Sequence, residues 1–338
     1  MDTLYSIDEV VLIPAVFSRV RSRLDCDVYY NHNDLPIFIA PMSCLVDEEN
    51  YDKFRDKGFN VILPRTVNLE ERLSSLYTER WVAVGLDEIS QVLDLGRKGY
   101  LNPRFHICID VANGHQSRIF GMCQELKKNF PNCVIMVGNI ANPLTYKEYA
   151  KIGVDYVRLG IGSGQVCTTS VQTGIHYPMA SLIANCKYLK EKYKLKTAIV
   201  ADGGFRFIDQ IVKGIALGAD YVMIGRIAAG FPEACGEIRL CQSQTLPPTW
   251  HQEREYYGMS TEKAQKLMHP EPNYVPRHSE GTVRWIPVMS STDDWIHDLT
   301  HALRSCMSYC DAFDLDEFKG SVAWQTQNPV TFNAYIKS

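Results

Sequence analysis

One cysteine in this sequence has neighbours that suit a nucleophile. Cys167 follows a glycine-rich stretch, Gly-Ile-Gly-Ser-Gly-Gln-Val at residues 160–166, and precedes two threonines. Glycines let backbone N–H groups approach a ligand, and such dipoles favour the reactive thiolate. Thr169 offers a hydroxyl for proton transfer. We therefore predict that Cys167 is a nucleophile, whereas a buried structural thiol is the better interpretation for each of the other ten cysteines.

Three further segments place charged side chains and glycines where apolar runs end. They are Asp-Val-Ala-Asn-Gly at residues 110–114, Asp-Gly-Gly at residues 202–204 and Gly-Arg at residues 225–226. Glycine-rich turns suit anions because no Cβ blocks the backbone N–H groups. The Asp-Gly-Gly turn alone fits an ordinary connection equally well. A glycine at the end of the next run favours a phosphate site between the two.

Eight short apolar runs, rich in β-branched residues, are the elements that must position these groups. They cover residues 36–42, 60–65, 81–86, 106–111, 134–140, 156–162, 198–204 and 221–226. Amphipathic stretches at residues 118–129, 145–152 and 208–217 predict helices between them. Continuous apolar runs alternating with helices predict an α/β fold, a closed (β/α)8 TIM barrel, with an open doubly wound sheet as the alternative. In such barrels the active site lies at the carboxyl ends of the strands.

The chain of 338 residues has a net charge of -4 and no run of lysine or arginine, which argues against a nucleic-acid partner. It has no apolar stretch near the roughly 20 residues of a membrane span, and its first residues do not form a signal peptide. Eleven cysteines without a close C-x-x-C pair exclude a disulfide framework. We expect a cytoplasmic protein without a membrane partner.

The C-terminal part differs from the rest in composition. Residues 268–281 are rich in proline and polar residues and predict a loop, and residues 293–307 predict a helix. A long loop after the last barrel strand is well placed to cover the active-site face as a flap. We expect one domain over residues 1–338, with the barrel at about 30–240 and the flap and C-terminal segment at about 247–338.

With these motifs in hand, the sequence resembles the inosine monophosphate dehydrogenase / guanosine monophosphate reductase family along nearly its whole length. The resemblance rests on residues 5–14, 36–42, 110–114, 160–169, 201–204, 257–260 and 279–281. It is closest to the reductases. The sequence leaves no room for the regulatory CBS module that dehydrogenases usually carry, and residues 258–280 lack their Arg-Tyr pair.

The resemblance implies a specific reaction. Cys167 attacks C2 of GMP, ammonia leaves, and a hydride from NADPH then releases IMP and the free thiolate. Thr169 and Glu280 are the implied proton-transfer pair. A dehydrogenase without a CBS module that oxidises IMP with NAD, a reductase for a modified or deoxy purine nucleotide, and a catalytically silent nucleotide-binding homologue are the alternatives.

The resemblance also implies ligand contacts. The purine nucleotide is expected to meet Gln165, Asp202, Gly203, Gly204, Gly225, Arg226, Gly258, Met259, Ser260, Arg277, Ser279 and Gly281. The dinucleotide is expected to meet Arg65, Asp110, Val111, Ala112, Ile161 and Gly162, and from a neighbouring subunit Ser22, Arg23, Ser305, Cys306, Met307 and Ser308. A monovalent cation, K⁺, is expected at Gly162, Gly164, Cys167 and Ser170. A homotetramer follows from the same resemblance.

Five residues depart from the family pattern. Gln165 replaces a serine that usually contacts phosphate, and Arg226 stands where the family has a small residue. Ser163, Ser170 and Tyr257 also differ. Arg226 would add a charge-assisted contact, while Gln165 is longer than serine and would crowd the phosphate. Either Arg226 compensates for the lost serine, or the substrate differs from GMP in its sugar, base or phosphate.

Overall fold

The computed structural model describes residues 3–31, 33–243 and 248–327. After a short strand, β1 (Val10–Ile13), eight parallel strands close into a barrel. They are β2 (Ile37–Ile39), β3 (Asn60–Leu63), β4 (Trp81–Val84), β5 (His106–Asp110), β6 (Val134–Ile140), β7 (Tyr156–Leu159), β8 (Ala198–Asp202) and β9 (Tyr221–Ile224). Because β2 pairs with β9, the predicted (β/α)8 barrel is confirmed and the open sheet is excluded.

Helices connect the strands, as the alternation of patterns predicts. They are α1 (Tyr51–Asp56), α2 (Leu69–Ser75), α3 (Ile89–Arg97), α4 (Ser117–Asn129), α5 (Pro143–Lys151), α6 (Thr169–Thr173), α7 (Met179–Lys192), α8 (Ile208–Ala216) and, after β9, α9 (Arg226–Ala229). The three helices predicted from amphipathic stretches correspond to α4, α5 and α8. The barrel strands are almost wholly apolar in their interiors because the sheet is covered on both faces.

Aromatic side chains close the amino-terminal end of the barrel. Trp81, Tyr156 and Tyr221 are the first residues of their strands, and their rings gather around Phe38 with centroids 5.1–6.0 Å from its own. Their edge-on arrangement is the favourable one for aromatic rings. With this end plugged, the carboxyl ends of the strands are the side of the barrel that can receive a ligand.

Beyond the barrel, the chain forms a three-stranded antiparallel sheet of β10 (Ile238–Gln242), β11 (Trp250–Tyr257) and β12 (Val283–Pro287). The connection between β11 and β12, residues 258–282, contains α10 (Glu262–Met268); we call residues 258–281 the flap. The extended loop predicted at residues 268–281 is observed. The sheet itself was not predicted, because its strands are rich in charged and polar residues.

The C-terminal segment packs back onto the barrel. The helix predicted at residues 293–307 is α11 (Thr292–Tyr309), and after α12 (Leu315–Phe318) strand β13 (Ala323–Thr326) pairs with β1. No helix in the described parts of the chain is long and apolar enough to cross a membrane. The predicted start of the C-terminal segment at residue 247, and the predicted ends of the domain at residues 1–2 and 328–338, lie outside the described residues.

Candidate active site

Three predicted catalytic side chains form a continuous chain of contacts. The thiol of Cys167 lies 3.3 Å from the hydroxyl oxygen of Thr169. That hydroxyl donates a hydrogen bond of 2.5 Å to a carboxylate oxygen of Glu280. Cys167 is half-buried, so its sulfur is held by its neighbours yet is not sealed in the core. The arrangement provides a route for a proton between the sulfur and the carboxylate.

The backbone of the flap holds Glu280 in this position. Cys167 and Gly281 form an isolated antiparallel bridge, and the carbonyl of Glu280 accepts a hydrogen bond of 2.9 Å from the N–H of Thr168. The N–H of Thr282 donates to the carbonyl of Val166 at 2.9 Å. A short two-stranded ladder therefore brings together residues more than a hundred positions apart in sequence.

The side chain of a buried glutamine also holds the flap, through hydrogen bonds within it. The side-chain amide of Gln265, on α10, donates to the carbonyls of Ser260 and Arg277 at 2.9 and 3.0 Å. Its oxygen accepts from the N–H of Arg277 at 2.8 Å and from the hydroxyl of Tyr274 at 3.2 Å. Sequence reasoning missed Gln265, because nothing in its helical setting distinguishes it from a surface glutamine.

The residues predicted to meet the base lie beside the cysteine loop. A Cβ on Gly281 would stand 2.9 Å from Thr261 and 3.1 Å from Ser260, so the two ends of the flap touch. The hydroxyls of Ser43 and Tyr257 lie 3.0 Å apart, and Ser43 also lies 3.8 Å from the sulfur of Met259. The predicted residues 258–260 and 279–281 are thus brought together.

A glycine conformation supports the floor of the site. Gly160 has a φ of +125°, and a Cβ there would lie 2.2 Å from the carbonyl oxygen of Asp202. That carbonyl accepts a hydrogen bond of 3.1 Å from Ser163. Only glycine can hold this backbone so close to the end of β8. The Cys167 loop and the Asp-Gly-Gly turn are therefore in direct contact, as the barrel prediction requires.

An arginine that sequence reasoning missed links two of the predicted acidic residues. Arg158, on β7, contacts Asp110 at 2.6 Å and Asp202 at 2.8 Å. Its side chain is 7% exposed, and each carboxylate 15%. Burial alone would lower the pKa of Arg158, but the two carboxylates outweigh this effect and raise that pKa well above its usual range. A single arginine within an apolar strand pattern was the available signal.

The expected phosphate end contains polar groups without protein partners. Gly203 and Gly204 have φ values of +93° and +90°. Two more residues were predicted at this end, Gln165 and Arg226. The side-chain oxygen of Gln165 and the Nε of Arg226 are both buried and make no hydrogen bond within the described residues. Buried polar atoms normally have partners, so these two point to a ligand as the missing partner.

Tyr256 is a further residue at this end that sequence reasoning missed. A Cβ on Gly225 would lie 2.5 Å from its hydroxyl oxygen. Burial is the main cause that raises the pKa of Tyr256, with Asp202 adding to it and Arg226 opposing it. The hydroxyl is therefore neutral and remains a hydrogen-bond donor at any physiological pH. Tyr256 lies near the end of a strand rich in polar residues, so no periodicity in the sequence indicated that it is buried at a site.

Arg65, predicted on the dinucleotide side, also has an unpaired donor. Its Nε is buried, has no hydrogen-bond partner in the part of the chain that the structure describes, and lies 3.9 Å from a carboxylate oxygen of Glu88. A Cβ on Gly85 would meet its guanidinium at 2.4 Å. Burial tends to raise the pKa of Glu88, but the paired guanidinium of Arg72 outweighs it, and the net effect lowers that pKa. Glu88 is thus an ionised anchor beneath Arg65.

Other predicted dinucleotide and cation residues are placed as follows. Val111 is half-buried and Ala112 exposed at the mouth of the barrel, whereas Ile161 is buried beneath the cysteine loop. The Gly162 carbonyl accepts a hydrogen bond of 3.2 Å from Ser170, and the Gly164 carbonyl one of 3.0 Å from the N–H of Cys167. Each carbonyl keeps a second lone pair for a cation.

The residues expected to act on a neighbouring subunit lie on or beside α11. Ser22 and Arg23 are exposed, and Ser22 caps a short 3-10 helix (Arg23–Asp25). That helix packs against α11, which carries Ser305 and Ser308. Met307 is an exception to the prediction. Its side chain is fully buried in the hydrophobic core, so it cannot contact a ligand and supports α11 instead.

A family model described as "IMP dehydrogenase / GMP reductase domain" matches residues 104–331, which include Cys167, Thr169 and Glu280. This chain belongs to that family. It is 30% identical to a GMP reductase of Lysinibacillus sphaericus and 28% identical to one of Oceanobacillus iheyensis, with 94% of each protein covered. An inosine-5'-monophosphate dehydrogenase of Chlorobaculum parvum is 34% identical over 63% of this chain and 43% of its own length.

The family is one of oxidoreductases that act on purine nucleotides, and the carboxyl-terminal face of the barrel is the part of this member that can carry such chemistry. A groove of about 580 Å³ on the outside of the barrel, between α2 and α3, is lined by Tyr77, Asp94 and Tyr100 among others, but by no cysteine. The Cys167 loop, by contrast, combines a thiol, a proton route and unpaired polar groups. We therefore treat it as the active site of this family member.

Proposed function

We propose that this chain is a GMP reductase that converts GMP into IMP and ammonia with NADPH. The observation that carries the proposal is the contact chain from Cys167 through Thr169 to Glu280. Relatives named GMP reductase, which align over 94% of the chain, support it, as does the absence of an Arg-Tyr pair from residues 258–280.

The residues of the chain divide the chemistry between them. The Cys167 proton moves through Thr169 to Glu280, and the thiolate then adds to C2 of the guanine ring. Glu280 returns a proton through Thr169 to the exocyclic amine, the C2–N bond breaks, and ammonia leaves. NADPH, when bound, supplies the hydride that adds to C2. The C2–S bond then breaks, which releases IMP and restores the Cys167 thiolate.

In this proposal the substrate lies across the ends of β8 and β9. Asp202 accepts hydrogen bonds from the ribose, and the residues 203–204 and 225–226 hold the phosphate. The base is held by Gly258, Met259, Ser260, Arg277, Ser279 and Gly281. The free carboxylate oxygen of Asp202 supports this assignment, because it accepts no hydrogen bond from the described residues.

The residues on the β3 and β5 side fit a nicotinamide dinucleotide. Among the described residues, the buried Nε of Arg65 has no hydrogen-bond partner, and Asp110 accepts a side-chain hydrogen bond through only one of its carboxylate oxygens. These two residues and the backbone of Val111 and Ala112 would hold the dinucleotide. A neighbouring subunit would add Ser22, Arg23, Ser305, Cys306 and Ser308 in the homotetramer, and K⁺ would bind the carbonyls of the Cys167 loop.

Absorbance of the nicotinamide band tests the proposal. We expect GMP to consume NADPH, IMP with NAD to produce no reduced dinucleotide, and Cys167→Ala to abolish turnover while the protein stays folded. Reduction of NAD by IMP would establish instead the dehydrogenase reaction named for the Chlorobaculum relative. Persistent turnover in Cys167→Ala would contradict the covalent mechanism.

A reductase for a modified or deoxy purine nucleotide is the second candidate. The observation that favours it is the pair of unpartnered groups on Gln165 and Arg226, both of which depart from the family pattern. Rates with GMP, dGMP and GDP should be compared side by side. A clear preference for dGMP or GDP would favour this candidate, whereas inactivity with all three would contradict both reductase proposals.

A further inference from the structure

The cluster around Arg158 joins both expected ligand sites inside the barrel. Arg158 donates through Nη1 to Asp110 on β5 at 2.6 Å and through Nη2 to Asp202 on β8 at 2.8 Å. From β6, the side-chain amide of Asn139 donates to Asp202 at 2.7 Å and to the carbonyl of Gly160 at 2.8 Å. The three charged side chains thus form one hydrogen-bonded unit that spans β5 to β8.

The barrel is shaped to admit this arginine. A Cβ on Gly138 would lie 2.5 Å from the Cβ of Arg158, so only glycine on the neighbouring strand leaves room for it. Arg158 is 6% exposed, so its charge depends on the two carboxylates and not on water. One guanidinium faces two carboxylates, which leaves the unit with a net charge of -1.

Each carboxylate keeps one oxygen free. Among the described residues, only the Oδ1 of Asp110 and the Oδ2 of Asp202 accept side-chain hydrogen bonds. Both side chains are 15% exposed, at the carboxyl ends of their strands. An ionised carboxylate only accepts hydrogen bonds, so each free oxygen suits a hydroxyl group of a ligand.

We propose that Arg158 is a positioning residue shared by the purine nucleotide site and the dinucleotide site. It holds the carboxylate of Asp202 in place for one ligand and the carboxylate of Asp110 in place for the other. The inference rests on the proposed function, which assigns those two carboxylates to the two ligands. Its distinctive consequence is that one substitution weakens two ligands at once.

The neighbouring titratable groups do not disturb this picture near neutral pH. Burial raises the pKa of the Cys108 thiol to about 12, and it raises the pKa of Tyr256 further above its usual range. Both therefore stay neutral. Without the guanidinium, the two carboxylates would lose their shared donor and repel each other, so neither would keep its position.

The experiment measures binding without turnover. In Cys167→Ala protein, titration calorimetry gives the dissociation constants of GMP and NADPH. Adding Arg158→Gln should weaken both ligands by about 10- to 100-fold, the range expected when a buried charged partner is lost. Asp202→Asn should weaken mainly GMP, and Asp110→Asn mainly NADPH.

A conservative variant separates positioning from simple destabilisation. Arg158→Lys keeps a positive charge between the two carboxylates, so it should recover part of the affinity for both ligands that Arg158→Gln loses. Arg254→Gln is the control, because Arg254 is also buried but, among the described residues, binds only backbone carbonyls. It should lower the melting temperature without weakening the two ligands together.

Three results would overturn the inference alone. They are a loss confined to one ligand, weakening of both ligands that Arg158→Lys does not correct, and unchanged binding in Arg158→Gln. If neither GMP nor NADPH binds the parent protein, the proposed function fails and the inference fails with it.

Discussion

At the scale of single residues, the order of contacts at Cys167 gives the proton a direction. Among the described residues, the thiol hydrogen-bonds only to the Thr169 hydroxyl, and that hydroxyl in turn donates to Glu280. In the proposed reaction, the threonine between the two groups relays the proton without holding a charge of its own. The carboxylate is then the group that takes up and returns the proton.

This arrangement predicts the effect of Glu280→Gln. The amide cannot take the proton, so we expect kcat to fall by about 10²- to 10⁴-fold, the usual range for a lost general acid–base group. The dissociation constant of GMP should change little, since Glu280 acts on the departing amine. Steady-state kinetics with GMP and NADPH measures the effect.

Glu271→Gln is the matched control, because Glu271 is an exposed glutamate in the same flap. Its kcat should equal that of the unaltered protein. A comparable loss in both variants would show that flap charge, and not the proton relay, is responsible.

At the scale of elements, two sets of hydrogen bonds hold the flap. One is the backbone pairing of residues 166–168 with residues 280–282. The other is the Gln265 side chain, whose four hydrogen bonds use both its donor and its acceptor. Glu280 belongs to the first set of contacts and lies three residues after Arg277, which belongs to the second. Its distance from Thr169 therefore depends on both sets.

Gln265→Leu should therefore loosen the flap. The variant leaves backbone groups of Ser260 and Arg277 without partners, and we expect a loss of about 1–3 kcal/mol in the free energy of unfolding. We also expect a lower kcat, because Glu280 is held less firmly. Gln91→Leu, at an exposed position on α3, is the control and should change neither quantity. Unaltered kcat in Gln265→Leu would refute the link between this clamp and Glu280.

The loop that carries Cys167 makes a second element-scale prediction. Gly160→Ala introduces a Cβ at a φ of +125° and 2.2 Å from the Asp202 carbonyl, so the loop or the end of β8 must move. We expect a loss of at least about 1–3 kcal/mol, typical of overpacking and strain.

Gly121→Ala is the matched comparison. A Cβ at Gly121, within α4, meets nothing within 4 Å, so alanine should stabilise the helix by roughly 0.5–1 kcal/mol. Denaturant titrations give both values. The same sign of change at the two glycines would contradict the geometric argument.

At the scale of the whole molecule, Asp220 joins the barrel to the C-terminal segment. Its carboxylate contacts Lys190 at 2.6 Å and Lys319 at 3.0 Å, and it accepts from the N–H of Ile199 at 2.7 Å. Burial tends to raise the pKa of Asp220, but the two lysines outweigh it, and the net effect lowers that pKa. A lowered carboxyl pKa means that the folded state prefers the ionised form.

Asp220→Asn should therefore cost about 3–5 kcal/mol at pH 7, the usual effect of breaking a buried ion pair. The contribution of Asp220 is complete above its unfolded pKa of about 3.9 and is lost as pH falls through the lower, folded value. The gap between the two proteins should thus shrink toward acid pH. Unfolding curves at pH 7 and below pH 4 test this, and a constant gap would contradict it.

Local pattern and composition determined much of this protein. The eight apolar runs predicted the barrel strands because a strand that is buried on both faces needs apolar residues at successive positions. The glycine-rich segment before Cys167 indicated a candidate nucleophile, and the proline-rich tail indicated the flap. Each of these features depends on residues that are close together in the chain, so it can be recognised from the sequence alone. One domain over the whole chain, a homotetramer and a cytoplasmic location stay predictions.

Only the tertiary structure decided which distant side chains meet. Arg158 finds Asp110 and Asp202 because closure of the barrel sets the register of β5, β7 and β8. Gln265 finds Arg277 because the flap folds back over α10. Contacts of this kind depend on how elements pack, and no periodicity in the chain encodes them. The contact of Cys167 with Thr169 was therefore within reach of the sequence, because the two residues are neighbours, whereas the side chains that hold their surroundings in place were not.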